Sequence, residues 1–517
     1  HNLGKFMRNY GLTPQVRRGL EPPIYLFWII NAEKFLKDNG RLGMIISNLW
    51  LQTDYGVKFT NYLLDHFKIH AIIDIPLRIF KALITTTIIL LEKEEDKDKR
   101  ENNEVVFVRL PPDPVEDIEV DEILRAIQEK RHDKFAVHVY KQKELSREKK
   151  WIRYHYGISE IEKSDNMIEF GELFEVSYGN AVYLYLSSKG TVRGPRNLGS
   201  REFFYFSPSK AKYWNIPEKY LYPALTSSRQ LKWFTFKKND WEFLKANDSD
   251  CYFFVCHEKR DDLPESVKKY IKWGETECIH RLRRSRTRGQ ERTADQAEAS
   301  QARERYPEYF YGWYDLGGVK PAQILAVYQA RYKTRFALCE FPVATYDAIL
   351  CFFPKVELTD DQLKALLAYL NSSFAQFYVE TEGRYIALGP IGLEISQAER
   401  MPVLDPRKLS EKEIKGLADL FDKLEVKARE IEGATEREQI EQLKPIIHEI
   451  DREIGKILEL PDLEVYAIQN AVDQLVKRRI AGAGEVRRHA IRGEEEIPEL
   501  EEFNELENRH QTTLDSF

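Results

Sequence analysis

The sequence predicts a mixed fold of α/β plus α+β class: part of a doubly wound sheet, then an irregular α+β region, then a helical C-terminal region. Three observations predict it. Residues 24–91 alternate helix-period and strand-like apolar runs, residues 167–405 break into short strands and aromatic-rich loops, and 3.6-residue periodicity takes over after Pro406.

Ile24 to Lys37 carries Leu26, Ile29, Ile30 and Leu36 at helical spacing, and Asn39-Gly40 supplies a left-handed stop. Leu42 to Ile46 is apolar on both faces, as a strand covered by helices on each side would be. Tyr55 to His66 reads as a second helix and Ile69 to Ile75 as a second buried strand. Ile84 to Leu91 is β-branched and apolar throughout, a third strand close enough to its predecessor to pair antiparallel. The order α-β-α-β-β is half of a doubly wound sheet. From Lys93 to Ser164 the composition turns charged, opening on EKEEDKDKRENNE, and a strand at Val105 to Leu110 and a helix at Val120 to Lys130 stand within what reads as a solvated connector.

No long helical period is expected after Met167 until Thr359, where Thr-Asp-Asp-Gln forms a capping box ahead of Leu363, Leu366, Leu367 and Leu370. Ser410-Glu-Lys-Glu413 caps a helix with Ile414, Leu417, Phe421 and Leu424 on one face. Two more run through Ile446, Ile447, Ile450, Ile454 and Ile457, and through Val465, Ile468, Val472 and Leu475. The acidic stretch GEEEIPELEEFNELENRHQ reads as a loose tail.

At 517 residues, with 43% hydrophobic and 31% charged residues, the chain has room for several domains with cores of their own, and wholesale disorder is excluded. Neither a transmembrane-length apolar run nor the apolar core of a signal peptide occurs, which predicts a soluble, cytoplasmic protein. Five cysteines do not suggest a secreted disulfide framework. The chain opens on His1, so it is expected to begin inside a longer gene product or after processing.

Nucleophile-elbow, P-loop and zincin motifs are missing, which leaves serine-hydrolase, P-loop and zinc-protease chemistry without an anchor. Cys251, Cys256, His257, Cys278 and His280 have ligand-like side chains, but their intervals match no common zinc motif, and buried thiols are the preferred reading; no metal site is assigned. The basic cluster is the stronger signal. Arg281, Arg283, Arg284, Arg286, Arg288 and Arg292 crowd a segment that lacks apolar periodicity, so a loop would present them to phosphate oxygens or base edges. Arg193, Arg196 and Arg201, and then Arg229 and Lys232 after Ser227-Ser228, are further DNA-binding candidates among Tyr183, Tyr185, Tyr222 and Trp233.

The block from Tyr25 to Lys93 resembles the later half of the catalytic domain of adenine-N6 DNA methyltransferases of the TaqI-like and type IIG restriction-modification group. It does so through LKDNGRLGMIIS, Asn48-x-Trp50-Leu51 and Arg78-Ile-Phe80. The block from Leu367 to Pro406 is similar to the end of that group's target-recognition domain, and REIGKILELPDLEVYAIQNAVDQLVKRR to its C-terminal helices. The resemblance implies a Rossmann-like methyltransferase sheet, S-adenosylmethionine as cofactor, double-stranded DNA as partner and a target adenine rotated out of the duplex. It also implies that Phe80 stacks on that adenine as the family's second aromatic, against a competing reading as a core Phe at a strand start.

The departures from the family are specific. Its Gly-rich cofactor loop, acidic ribose ligand and Asn-Pro-Pro-Tyr loop are not found, and Glu21-Pro22-Pro23-Ile24-Tyr25 has Glu where an amide is needed and one residue too many before Tyr. The expected organisation is therefore the C-terminal half of a methyltransferase domain at 1–95, a connector at 96–165, a target-recognition domain at 166–405 and a helical region with an acidic tail at 406–517. Strand Leu42 to Ile46 should present unpaired amides and exposed Met44, Ile45 and Ile46 to a second chain or segment that completes the fold. The alternative expectation is a non-catalytic DNA-specificity or scaffolding subunit.

Overall fold

A computed structural model describes residues 23–76, 85–111, 119–158, 164–180, 199–281, 291–385, 389–431 and 434–492, with the backbone alone at 280, 281 and 481–492. The described residues form two compact units, neither contiguous in sequence. One joins the residues before 164 to Phe377–Tyr385 and Leu460–Val486, and the other takes in Ser164–Gln376 and most of Ile386–Glu459.

The first unit is built on a five-stranded mixed sheet of β1 (Arg41–Ser47), β2 (Phe67–Ile75), β3 (Thr86–Lys93), β4 (Glu104–Arg109) and β5 (Ala136–Lys141), in the order β1-β3-β2-β4-β5. Strand β3 lies antiparallel between β1 and β2, β4 runs parallel to β2, and β5 closes the far edge antiparallel. Strands β1, β2 and β4 therefore share one direction. Ahead of β1, the helix Ile24–Phe35 buries Leu26, Phe27, Ile29 and Ile30, and Asn39 adopts the expected positive φ of 61°. Beyond β1, the turn Asn48–Leu51 is pressed against the helix Asp54–His66. A Cβ on Gly56 would stand 1.6 Å from the Trp50 carbonyl oxygen, so only glycine permits that approach.

Three expectations need correction here. The segment read as a solvated connector supplies β4 and β5. Val105, Val106, Phe107, Val108, Trp151, Ile152 and Tyr154 are buried, and the flanking charge run hid this apolar centre. Strand β1 is not covered on both faces, since Gly43 and Ile45 are exposed. Of the three residues expected to be open, Ile45 is 52% exposed and Met44 half-buried, but Ile46 is buried, because strand alternation turns it to the opposite face.

The second unit holds a five-stranded sheet and a four-stranded sheet around an aromatic core. The five-stranded sheet runs Thr235–Phe236, Phe336–Cys339, Ile324–Val327, Ile349–Pro354, Phe174–Tyr178. The four-stranded sheet runs Ala344–Thr345, Leu221–Leu225, Tyr252–Phe254, Tyr205–Phe206. Contrary to expectation, a 12-residue helix, Glu265–Thr276, precedes Thr359. Its buried Val267, Tyr270, Ile271 and Gly274 keep an i, i+3, i+4, i+7 period that the interleaved lysines and a glycine obscured. The capping boxes at Thr359 and Ser410 form, and helices Asp360–Leu370, Glu411–Glu430 and Glu436–Ile457 follow their apolar periods.

Candidate functional site

In the first unit the carboxyl ends of β1, β2 and β4 point the same way, and this is the edge where open α/β sheets hold ligands. Asn48 stands just past β1, Asp74 at the penultimate position of β2, and Arg109 at the end of β4. Thr85 Oγ1 donates to Asn48 Oδ1 at 2.7 Å, and Asn48 Nδ2 donates to Asp74 Oδ1 at 3.1 Å. From the helix Asp462–Arg492, Arg478 closes a bidentate pair on Asp74 at 2.5 and 3.0 Å. Burial pushes the Asp74 carboxyl up, but the charge of Arg478 and the hydrogen bonds from Arg478 and Asn48 outweigh it and hold the group below the usual carboxylate range. The neighbouring Arg479 pairs with fully buried Glu380 at 2.6 and 3.0 Å.

His155 sits beside this network, fully buried and with no hydrogen-bond partner on either ring nitrogen. Burial drives its pKa down to about 3 against the opposing pull of Asp74, so the ring is neutral at pH 7. Arg109 donates to the His155 carbonyl, lies 4.3 Å over the Tyr156 ring and bonds Gln474. The sheet edge thus carries a buried ion pair of Asp74 and Arg478 with Asn48 and His155 beside it.

In the second unit, the described parts of the predicted basic segments lie on neighbouring elements. Arg201 opens the short helix Arg201–Phe204, which packs against the hairpin of Ile279–Arg281 and Glu291–Thr293. On another side, the Arg201 guanidinium lies 5.5 Å over the Tyr346 ring, and the Tyr346 hydroxyl accepts the Ser228 N–H at 2.8 Å in the turn that carries exposed Arg229. Gln230 folds back to accept from Thr226 and Ser227 and fixes that turn. Lys232 is exposed with its ammonium near the Trp233 and Phe243 rings, while Arg429 covers Trp233 at 4.5 Å and pairs bidentately with Asp240.

Phe80, Arg193, Arg196, Arg283, Arg284, Arg286 and Arg288 lie outside the described residues, as do Tyr183 and Tyr185. Cys251, Cys256 and Cys278 are buried in the aromatic core, and burial pushes their thiols up to about 12, 12 and 11. Among the described residues no three metal-ligating side chains converge, and no helix is long and apolar enough to cross a membrane. Sequence reasoning missed Asp74, Arg478 and Tyr346. A lone Asp inside the apolar run AIIDI was a readable signal of a buried, paired charge, whereas nothing links Tyr346 to Ser228 before the chain is folded.

Comparison with known proteins agrees with the family expectation. A family model described as the Eco57I restriction-modification methylase matches residues 11–80, and one for the C-terminal domain of the type II methyltransferase M.Eco57I matches residues 190–290. The type II methyltransferase M.AccI of Acinetobacter calcoaceticus is 26% identical over 391 residues, 74% of this chain and 62% of its own length. Among solved structures, the type IIL restriction-modification enzyme MmeI in complex with DNA aligns over 88% of this chain and 52% of its own, with 13% identity and a TM-score of 0.45. The type IIG restriction endonuclease BpuSI aligns over 93% and 52%, with 14% identity and a TM-score of 0.38. The chain therefore spans about half to two thirds of the length of these relatives.

Proposed function

We propose that this chain, a relative of restriction-modification methylases, is the DNA-recognition and partial catalytic portion of a site-specific adenine-N6 DNA methyltransferase. A second chain or segment with the cofactor loop and the Asn-Pro-Pro-Tyr motif completes it. The supporting observation is the state of β1. Among the described residues it is the edge of the sheet; its Ile45 is 52% exposed, Leu49 just after it is open, and so are Ile24, Trp28 (63%) and Phe35 (89%) on the helix that precedes it in the chain. An unpaired strand edge flanked by large apolar side chains calls for a covering element.

S-adenosylmethionine does not fit the described residues alone. The carboxylate at the ligand-binding edge, Asp74, is buried and already held by Arg478 and Asn48, so it offers no acceptor to a ribose hydroxyl. The cofactor wall is assigned to the completing segment. On this chain's side, the exocyclic amine of adenine is a weak nucleophile with a delocalised lone pair, so the base must be held in place and dry. Phe80 is assigned to that stacking role.

The buried ion pair at the sheet edge also suits a second reading, in which the sheet is a docking scaffold for a specificity subunit. Phe80→Ala separates the two. If the ring holds the flipped base, methylation by the completed complex falls at least tenfold while DNA affinity stays within about twofold; unchanged methylation leaves the scaffold.

A further inference from the structure

Two elements of the second unit meet in an aromatic seam that reaches its surface: the short helix Pro208–Tyr213 with Trp214 after it, and the helix Glu265–Thr276. The Trp214 ring lies 5.1 Å from both Tyr270 and Trp273, and Tyr213 stands edge-on to Trp214 at 5.5 Å. Tyr270 is buried in the core and Trp214 and Trp273 are half-buried against it, whereas Tyr213 is 81% exposed. Lysines accompany these rings. Lys210 serves the fold, since its ammonium donates to the carbonyls of Glu202 and Tyr205, both at 2.6 Å, over the Phe206 ring. Lys212 and Lys269 are exposed, and among the described residues neither side chain has an ion pair or hydrogen bond. Exposed Lys272 is loosely tied: Glu275 stands 3.8 Å away and is already held by both terminal nitrogens of Arg260 and by the Trp313 indole. Lys269, Lys272 and Trp273 share the helix face opposite buried Val267, Ile271 and Gly274.

We propose that this face, through Lys212, Tyr213, Lys269 and Lys272, grips the sugar-phosphate backbone of duplex DNA beside the sequence being read. This rests on the DNA-recognition reading above. A protein partner is the poorer occupant, because lysine is depleted in the cores of protein interfaces, whereas here both helices interleave their rings with lysines. Lysine ammoniums and tyrosine hydroxyls are the groups that phosphate oxygens take, and such contacts carry no base information. The helix Glu265–Thr276 also leads into the strand Ile279–Arg281, where the arginine-rich stretch of the sequence begins, and packs against Glu291–Thr293, which carries exposed Arg292. The lysines are therefore continuous in the chain with the densest run of cations.

The test is binding of the full chain to random-sequence duplex DNA over a range of salt concentrations, repeated with Lys212, Lys269 and Lys272 changed together to Gln, and separately to Arg. All three side chains are exposed, so both variants should keep the wild-type unfolding transition, and the Arg variant keeps the charge as well. A third variant removes equal charge from the helix Glu411–Glu430, with Lys412, Lys415 and Lys423 changed to Gln. The first Gln variant should bind more weakly and lose about 0.9 of logarithmic salt slope for each lysine, while the Arg variant and the distant Gln variant keep the wild-type slope. Tyr213→Ser should weaken binding with the slope unchanged. Duplexes selected from a random pool should show the same motif for every variant. A wild-type slope in the first Gln variant, or an equal loss in the distant one, overturns the proposal. A motif that the first Gln variant alters overturns the backbone role, and a wild-type chain that binds no duplex removes the DNA-recognition reading itself.

Discussion

His155 shows how far a single side chain can depart from its usual chemistry when the fold denies it water. With the ring fully buried and its pKa near 3, the unfolded chain takes up a proton that the folded chain refuses as the pH drops below the ordinary histidine value of 6.5. Stability from this residue is therefore lost on acidification, at roughly 1.4 kcal/mol per pH unit between those two values. His155→Leu should remove the loss. Urea unfolding at pH 7 and pH 5 should show the variant gaining on the wild type by about 1–2 kcal/mol at the lower pH, and a constant difference contradicts neutral burial. Asp74 behaves oppositely. Its depressed carboxyl contributes stability that is lost only as the pH falls below the ordinary value of 3.8, outside that window.

At the scale of elements, what the sequence made legible follows from how locally each signal is encoded. The Thr359 box is written in four consecutive residues, and the structure forms both of its bonds: Thr359 Oγ1 accepts the Gln362 N–H at 3.2 Å and Gln362 Oε1 accepts the Thr359 N–H at 3.0 Å. Thr359→Ala should cost about 1 kcal/mol in chemical denaturation, and a change below a few tenths would show the cap to be idle. The helices after Pro406 were equally readable from their apolar period. Strand β4 was legible at Val105 to Leu110 but its place in the sheet was not, and β5 was not legible, because the pairing of β4 with β2 and of β5 with β4 joins segments that charged neighbours in sequence conceal. The clusters joining Arg478 to Asp74 and Tyr346 to Ser228 span 404 and 118 residues, so no spacing argument could reach them.

Over the whole molecule, the formal charge of −6 says nothing for DNA, and the case rests on where the cations gather. Replacing Arg283, Arg284 and Arg286 together with Ala should weaken DNA binding and flatten its salt dependence by about one unit of logarithmic slope per lost contact. An unchanged slope returns that segment to solvent. The central claim, that half of a methyl-transfer pocket resides here, is tested most directly by following labelled methyl groups from S-adenosylmethionine into DNA, with this chain alone and with an added polypeptide bearing the cofactor loop and Asn-Pro-Pro-Tyr. The expected result is no transfer above background by the chain alone and transfer on mixing; robust methylation of DNA by this chain without a companion contradicts a divided pocket.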